Sequence, residues 1–230
     1  MRGDGAKKIL TFSFDDCEIY DRRVCDMMRR YGLKATFYLI SGQLGMKVPF
    51  HRYGQDTVVE RVSAAELSET YRGMEIASHT RAHTMDAPDP AAEIERSLEE
   101  LSRWSGQTVR GLAYPGGQYT AAMADMVRAT RVEYARGASP THDLSVPNDW
   151  YAWEPSCHYA DAETPALIDA FLAAPHEETR LLHIFGHSYE LTNPDARHDW
   201  DYFERLLERL SGRRDVEYMT NGEAARALKN

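Results

Sequence analysis

The chain has 230 residues, 43% of them hydrophobic and 27% charged, the balance of a globular protein large enough to bury a core of its own. Its 36 acidic and 27 basic residues leave a formal charge of −9, which repels phosphate backbones and anionic lipid and argues against nucleic acid or a membrane surface as partner. No apolar run approaches a membrane span and the N-terminal stretch holds no leader-like segment, so a cytoplasmic location is expected; three unevenly spaced cysteines (Cys17, Cys25, Cys157) do not make a disulfide framework.

Residues 7–14, KKILTFSF, read as a buried strand that runs into two adjacent acids, Asp15 and Asp16. A helix over 20–31 stops at Gly32, and KATFYLIS (34–41) is a second strand rich in β-formers. Residues 42–62 carry Gly42, Gly45, Pro49 and Gly54 and read as irregular. Ser63 and Glu66 have the spacing of a capping box that opens a helix to about Tyr71, and GMEIAS (73–78) is the third strand. Asp89 followed by Pro90 starts a helix to about Trp104; RGLAY (110–114) is the fourth strand, followed by a glycine-rich turn and a helix over 121–130. VEYAR (132–136) is the fifth strand, and residues 137–161 are mixed and polar. Thr164 and Pro165 open a capped helix to about Ala173; RLLHIFG (180–186) and VEYM (216–219) are the sixth and seventh strands, with helices over 200–210 and 221–228.

Strands alternating with helices in this way predict an α/β fold of about seven parallel strands in one domain, residues 1–230. A (β/α) barrel is the natural closure, and an open doubly wound sheet fits the same count. In either, chemistry gathers at the carboxyl ends of the strands. There the sequence places Asp15 and Asp16, then His79 and His83, then Tyr114 with Gly116, then His187, Tyr189 and Glu190. His79 and His83 stand four apart, and one helical turn would put both imidazoles on one side, within reach of a single divalent cation with Asp16 as third ligand. Three protein ligands leave positions open for water and substrate, and a neutralising ion would let Asp15 remain ionised beside Asp16 as a base. Taken singly, each signal has a plain structural meaning: a turn, a solvated helix face, a packed core histidine. Their coincidence at successive strand ends is what points to a site.

With these residues in place, the sequence resembles the polysaccharide deacetylase family (carbohydrate esterase family four), over essentially the whole chain. SFDDC (13–17) resembles the family's T-F-D-D-G, SHTRAH (78–83) matches its H-[ST]-x-x-H, AYPGG (113–117) resembles a degraded R-P-P-Y-G, and LLHIFGHSYE (181–190) resembles the final strand with its leucine–histidine motif, in the form of a divergent subgroup. The resemblance implies a distorted (β/α) barrel and metal-dependent removal of N- or O-acetyl groups from sugars. Residue by residue it implies Asp15 as general base, Asp16, His79 and His83 as metal ligands, and the Gly116 N–H, beside Tyr114, on the oxyanion and substrate side. It implies His187 as general acid. His183 fits the short motif literally, but His187 ends the strand and is preferred. Trp150 and Asp149 stand where the family has an aspartate–tryptophan motif, as a sugar wall and a support; His158 is a further substrate contact, and Glu190 a support for the acid. The family's arginine is Ala113 here, and Arg136, ending the neighbouring strand, is the candidate to replace its charge. Zinc is the expected ion, with cobalt, nickel, manganese or iron also suited to the donor set. An N-acetylated sugar or oligosaccharide is the expected partner. Two other readings stay open: a hydrolase of formyl or cyclic amides, and a metal-holding carbohydrate-binding protein without turnover.

Overall fold

Strand β1 (Lys8–Asp15) is buried at all eight positions because other elements cover both of its faces. The two faces differ in character. Leu10, Phe12 and Phe14 point to the helices and pack in the larger core, with Phe14 stacked on Phe37 at 5.4 Å and edge-on to Phe203 at 5.8 Å. Ile9, Thr11, Ser13 and Asp15 point the other way, into the concave side of the sheet. Burying a side chain such as Phe14 is worth about 1.5–3 kcal/mol, and truncating it to alanine would cost about 3–5 kcal/mol.

The structure is a computed structural model and describes residues 7–175, 177–193 and 199–229. After β1 come α1 (Asp21–Tyr31), β2 (Ala35–Leu39), β3 (Lys47–Arg52), β4 (Gln55–Glu60), α2 (Leu67–Thr70), β5 (Glu75–Ser78) and α3 (Pro90–Ser105). The second half holds β6 (Gly111–Ala113), α4 (Ala121–Arg128), β7 (Tyr134–Arg136), β8 (Cys157–His158), α5 (Thr164–Ala173), β9 (Arg180–His187), α6 (Trp200–Leu210), β10 (Val216–Tyr218) and α7 (Asn221–Leu228). The main sheet runs β7-β6-β5-β2-β1-β9-β8, with β10 on the start of β1, and every pairing in it is parallel. This is the expected single α/β domain with a distorted barrel. Residues 150–157 partly close the barrel between β7 and β9, through Ala135 N–H to Trp150 O (2.7 Å) on one side and Ser156 N–H to His183 O (2.8 Å) on the other. Among the described residues no helix is long and apolar enough to cross a membrane. The three cysteines are buried free thiols.

The local chemistry acts largely as the sequence predicts. Gly32 ends α1 in the left-handed region, and Asp89 caps α3 by accepting the Ala92 N–H at 3.0 Å. Three expectations change. Ser63 and Glu66 do meet, with the Glu66 carboxylate accepting the Ser63 N–H at 3.1 Å, but the first turn is 3₁₀ and α2 is only four residues long. Thr164 does not cap α5; its hydroxyl donates to the His158 carbonyl at 2.7 Å. Residues 42–62 are not irregular: β3 and β4 form an antiparallel hairpin that turns at Tyr53 and Gly54, both at positive φ (54° and 73°). Pro49 argues against a strand, and Tyr-Gly lacks the Asn-Gly turn signature, which is why the sequence conceals it.

Candidate active site

Adjacent residues on a regular strand point to opposite faces, so two neighbouring acids can share a site only if the backbone breaks that alternation. It does so here. Asp16 (φ 78°) and Cys17 (φ 52°) are both in the left-handed region, which turns the chain sharply as it leaves β1. The loop after β5 has the same character at Thr80 (φ 61°) and His83 (φ 58°), so His79 and His83 do not lie on a helical turn as expected. Four of the six described non-glycine residues with positive φ belong to these two loops, and backbone strain of about 1–3 kcal/mol each persists where the surroundings over-determine it.

The loops bring three donor atoms together. The Nε2 atoms of His79 and His83 are 3.2 Å apart, and Asp16 Oδ1 lies 3.6 Å from the second and 3.9 Å from the first. Asp16 Oδ1 is buried and has no hydrogen-bond partner. His79 Nδ1 lies 2.9 Å from the Ala113 carbonyl, which can only accept, so Nδ1 carries the proton and Nε2 presents a lone pair. Burial holds the His79 imidazole below its ordinary pKa, against the pull of Asp15 and Asp16. The His79 lone pair, the His83 nitrogen beside it and an orphaned carboxylate oxygen make a donor set that a cation would complete.

Asp15 stands beside this group, its Oδ2 3.9 Å from His79 Nε2. Its Oδ1 accepts from Arg136 Nη2 in an ion pair between two buried side chains. Burial would raise the Asp15 pKa, but Arg136 first and then His79 and His187 hold it below the ordinary carboxylate value. The Arg136 guanidinium also lies over the Tyr38 ring at 4.4 Å and donates to the Gly137 carbonyl.

On the other side, His187 pairs with Asp15 in the register of β1 and β9, and its Nε2 is 4.0 Å from Asp16 Oδ2. Glu190 accepts from the His187 backbone N–H (3.0 Å) and its Nδ1 (3.3 Å), and also from His158 Nε2 (2.8 Å). Burial would lower the His187 pKa, but Glu190, Asp15 and Asp16 push it up to about 9. One rim therefore holds an ionised acid, a protonated imidazole and a three-donor cradle.

The sequence model of the polysaccharide deacetylase family matches residues 2–135. The chain belongs to that family. Solved structures share its fold at low identity. A family 4 acetyl xylan esterase from Clostridium thermocellum, in complex with a cobalt ion, is 19% identical over 96% of this chain and 92% of its own, with a TM-score of 0.56. A polysaccharide deacetylase from Bacillus cereus is 17% identical with a TM-score of 0.50; the match covers 62% of this chain and only 44% of that one. A CE4 family pseudoenzyme from Bacillus anthracis is 13% identical over 95% of this chain and 64% of its own, with a TM-score of 0.52. No curated protein matches the sequence.

Membership of the polysaccharide deacetylases does not by itself place every residue read from the family's motifs. Trp150 is 6% exposed and packs edge-on to Trp153 at 5.1 Å in the smaller core, which leaves almost no face for a sugar ring. Asp149 accepts from the Tyr151 N–H (2.9 Å) and pairs with Arg128 (2.7 Å), so it organises a surface turn. The Tyr114 ring is buried against Tyr119, with its hydroxyl on the Tyr151 carbonyl (2.8 Å), and offers nothing to a substrate. Gly116 is exposed at φ 69°, with open space where a Cβ would stand. His158 turns to Glu190 and stacks on Tyr159 at 4.5 Å. Arg61 carries no motif, yet its guanidinium donates to the Asp16 carbonyl and braces the left-handed turn. Nothing in its local sequence marks it.

Proposed function

We propose that this chain is one catalytic domain that removes acetyl groups from the amide nitrogen, or the oxygen, of a carbohydrate with the help of one divalent metal ion. The observation that carries this reading is the orphaned Asp16 Oδ1 facing the Nε2 atoms of His79 and His83, with Asp15 held ionised alongside by Arg136. Two imidazoles and a carboxylate suit zinc first, then cobalt, nickel, manganese or iron. A bound ion would polarise the acyl carbonyl and acidify a water molecule.

The remaining steps belong to the chain's own side chains. Asp15, ionised and fixed by Arg136, takes the proton from the attacking water. The Gly116 N–H, in the exposed turn that follows β6, is the candidate donor to the oxyanion. His187, protonated at neutral pH and oriented by Glu190, gives its proton to the leaving nitrogen so that the amine departs neutral and acetate remains.

The test is metal analysis together with acetate release over N-acetylated sugars, with formyl and cyclic amides in the same panel. The wild type should carry one equivalent of metal and release acetate. Asp15→Asn should keep the metal and lose about 10²–10⁴ in kcat, and His79→Ala should lose the metal. Equal turnover by wild type and Asp15→Asn would remove the base from the scheme. Metal without turnover on any substrate would favour a binding protein.

A further inference from the structure

The large apolar side chains that stand exposed among the described residues, Met46, Val48, Phe50, Tyr53 and Val58, all belong to the β3–β4 hairpin and its immediate approach. A surface that confines its exposed apolar groups to one arm marks that arm as a place of contact. Directly opposed residues of an antiparallel pair share a face, so Val48, Phe50 and Arg52 lie on the same side as Val59, Thr57 and Gln55. Val59 is 5% exposed and the Arg52 side chain 16%, which identifies this as the side turned to the body of the protein. Phe50 lies on that side and is still 50% exposed.

Arg52 ties this face to the active-site rim. Its guanidinium forks onto the buried Glu18 carboxylate at 2.8 and 3.2 Å, lies 3.6 Å over the Tyr189 ring and stands 5.3 Å from the Phe50 ring. The Tyr189 ring is in turn 5.0 Å from that of His187. A row of flat groups therefore leads outward from the proposed acid: His187, Tyr189, Arg52, Phe50. Beside it runs a groove lined by Tyr20, Arg52, Tyr53, Gln55, Thr57, Val58 and Thr192. Aromatic faces set among hydroxyl, amide and guanidinium groups match the alternating apolar faces and hydroxyl edges of sugar rings. A purely apolar patch would suit self-association better.

We propose that the hairpin is a second sugar subsite and that the substrate is a linear oligosaccharide, whose ring next to the one being deacetylated lies against Phe50 and along this groove. The proposal rests on the deacetylase reading above. It is tested by kcat/KM for acetate release from N-acetylchito-oligosaccharides of one to five rings. The wild type should gain about five- to tenfold with chain length, the worth of one aromatic stacking contact. Phe50→Ala should abolish that gain and Phe50→Trp should keep it. His51→Ser, on the opposite face of the hairpin and outside the groove, should also keep it. A gain that survives Phe50→Ala, or no gain with length, overturns the subsite. So does a wild-type dimer by sedimentation that Phe50→Ala disperses, which would make the arm a contact between copies. Calorimetric binding of the pentamer and monomer to Asp15→Asn, with and without Phe50→Ala, reads the subsite apart from turnover. Length-dependent binding through Phe50 without any acetate release would sink the catalytic reading and leave the subsite standing.

Discussion

His183 and His187 lie on the same strand and, four residues apart, on the same face of it, yet their surroundings drive them to opposite states. His183 is fully buried. Its Nε2 lies 2.8 Å from Ser13 Oγ and 3.3 Å from Asn221 Nδ2, and the Trp153 ring is 4.5 Å away. Burial, and then the nearby Arg136 charge, hold this imidazole well below its ordinary value, so it is neutral. His187 reaches the rim, meets Glu190 and two aspartates, and is raised to about 9. His183, after Leu182, fits the short motif literally, and His187, after Gly186, does not. What separates an acid from a packing residue is depth along the strand and the sign of the neighbouring charge.

Exchanging the two roles by mutation is the strongest way to break this contrast. His187→Ala should lower kcat for acetate release by about 10²–10⁴ while leaving the melting temperature and metal content near those of the wild type. His183→Ala should leave kcat within a few-fold. If the folded His183→Ala protein shows the larger loss in kcat, the assignment is reversed.

Arg136 bears on both histidines, since it depresses His183 and anchors Asp15. Arg136→Met leaves Asp15 buried and unpaired, which should cost about 3–5 kcal/mol in denaturant unfolding. Adding Asp15→Asn should return a good part of that loss, because the stranded charge goes with it. A double variant as unstable as Arg136→Met alone would mean that the arginine acts by packing on Tyr38. A smaller cost, about 1–3 kcal/mol, is expected for His183→Ala, which leaves Ser13 and Asn221 without their shared partner. An unchanged unfolding midpoint would show that those groups find other partners.

The sheet was legible because its strands are apolar runs bounded by glycines and polar residues, and all seven expected strands are present. The two-residue β8 escaped because it is too short to carry a period, and the hairpin because Pro49 and Tyr53 disguise it. The rim was legible as polar residues after strand ends. How those residues meet was not. The left-handed turns at Asp16, Cys17, Thr80 and His83 fall on residues that seldom adopt them, so an i, i+4 pair of histidines read as a helix when it is a loop. Trp150, Asp149 and Tyr114 show the converse. Each stands at a plausible place in the chain, but nothing local says which way a side chain turns, and all three turn to the core or to the surface. Arg136 and Asp15 are 121 positions apart, and only the adjacency of β7 to the rim made that pair imaginable.

The subtlest probe is the carboxylate that separates the two histidines. Glu190 is the largest of the groups that raise His187, and Gln at that position keeps most of the shape while removing the charge. In the wild type the proton stays on His187 as pH rises until about 9, so the alkaline limb of kcat/KM should fall there. Without the Glu190 charge the proton leaves earlier, and the limb should move down toward the ordinary imidazole value of 6.5. Below the new limb the two proteins should differ only modestly, with equal metal content, because Glu190 positions His187 and touches none of the three proposed ligands. At pH 8 the difference should be plain. A Glu190→Gln profile that overlays the wild type at every pH would mean that the limb belongs to another group, and the contrast between His183 and His187 would then rest on access to solvent alone.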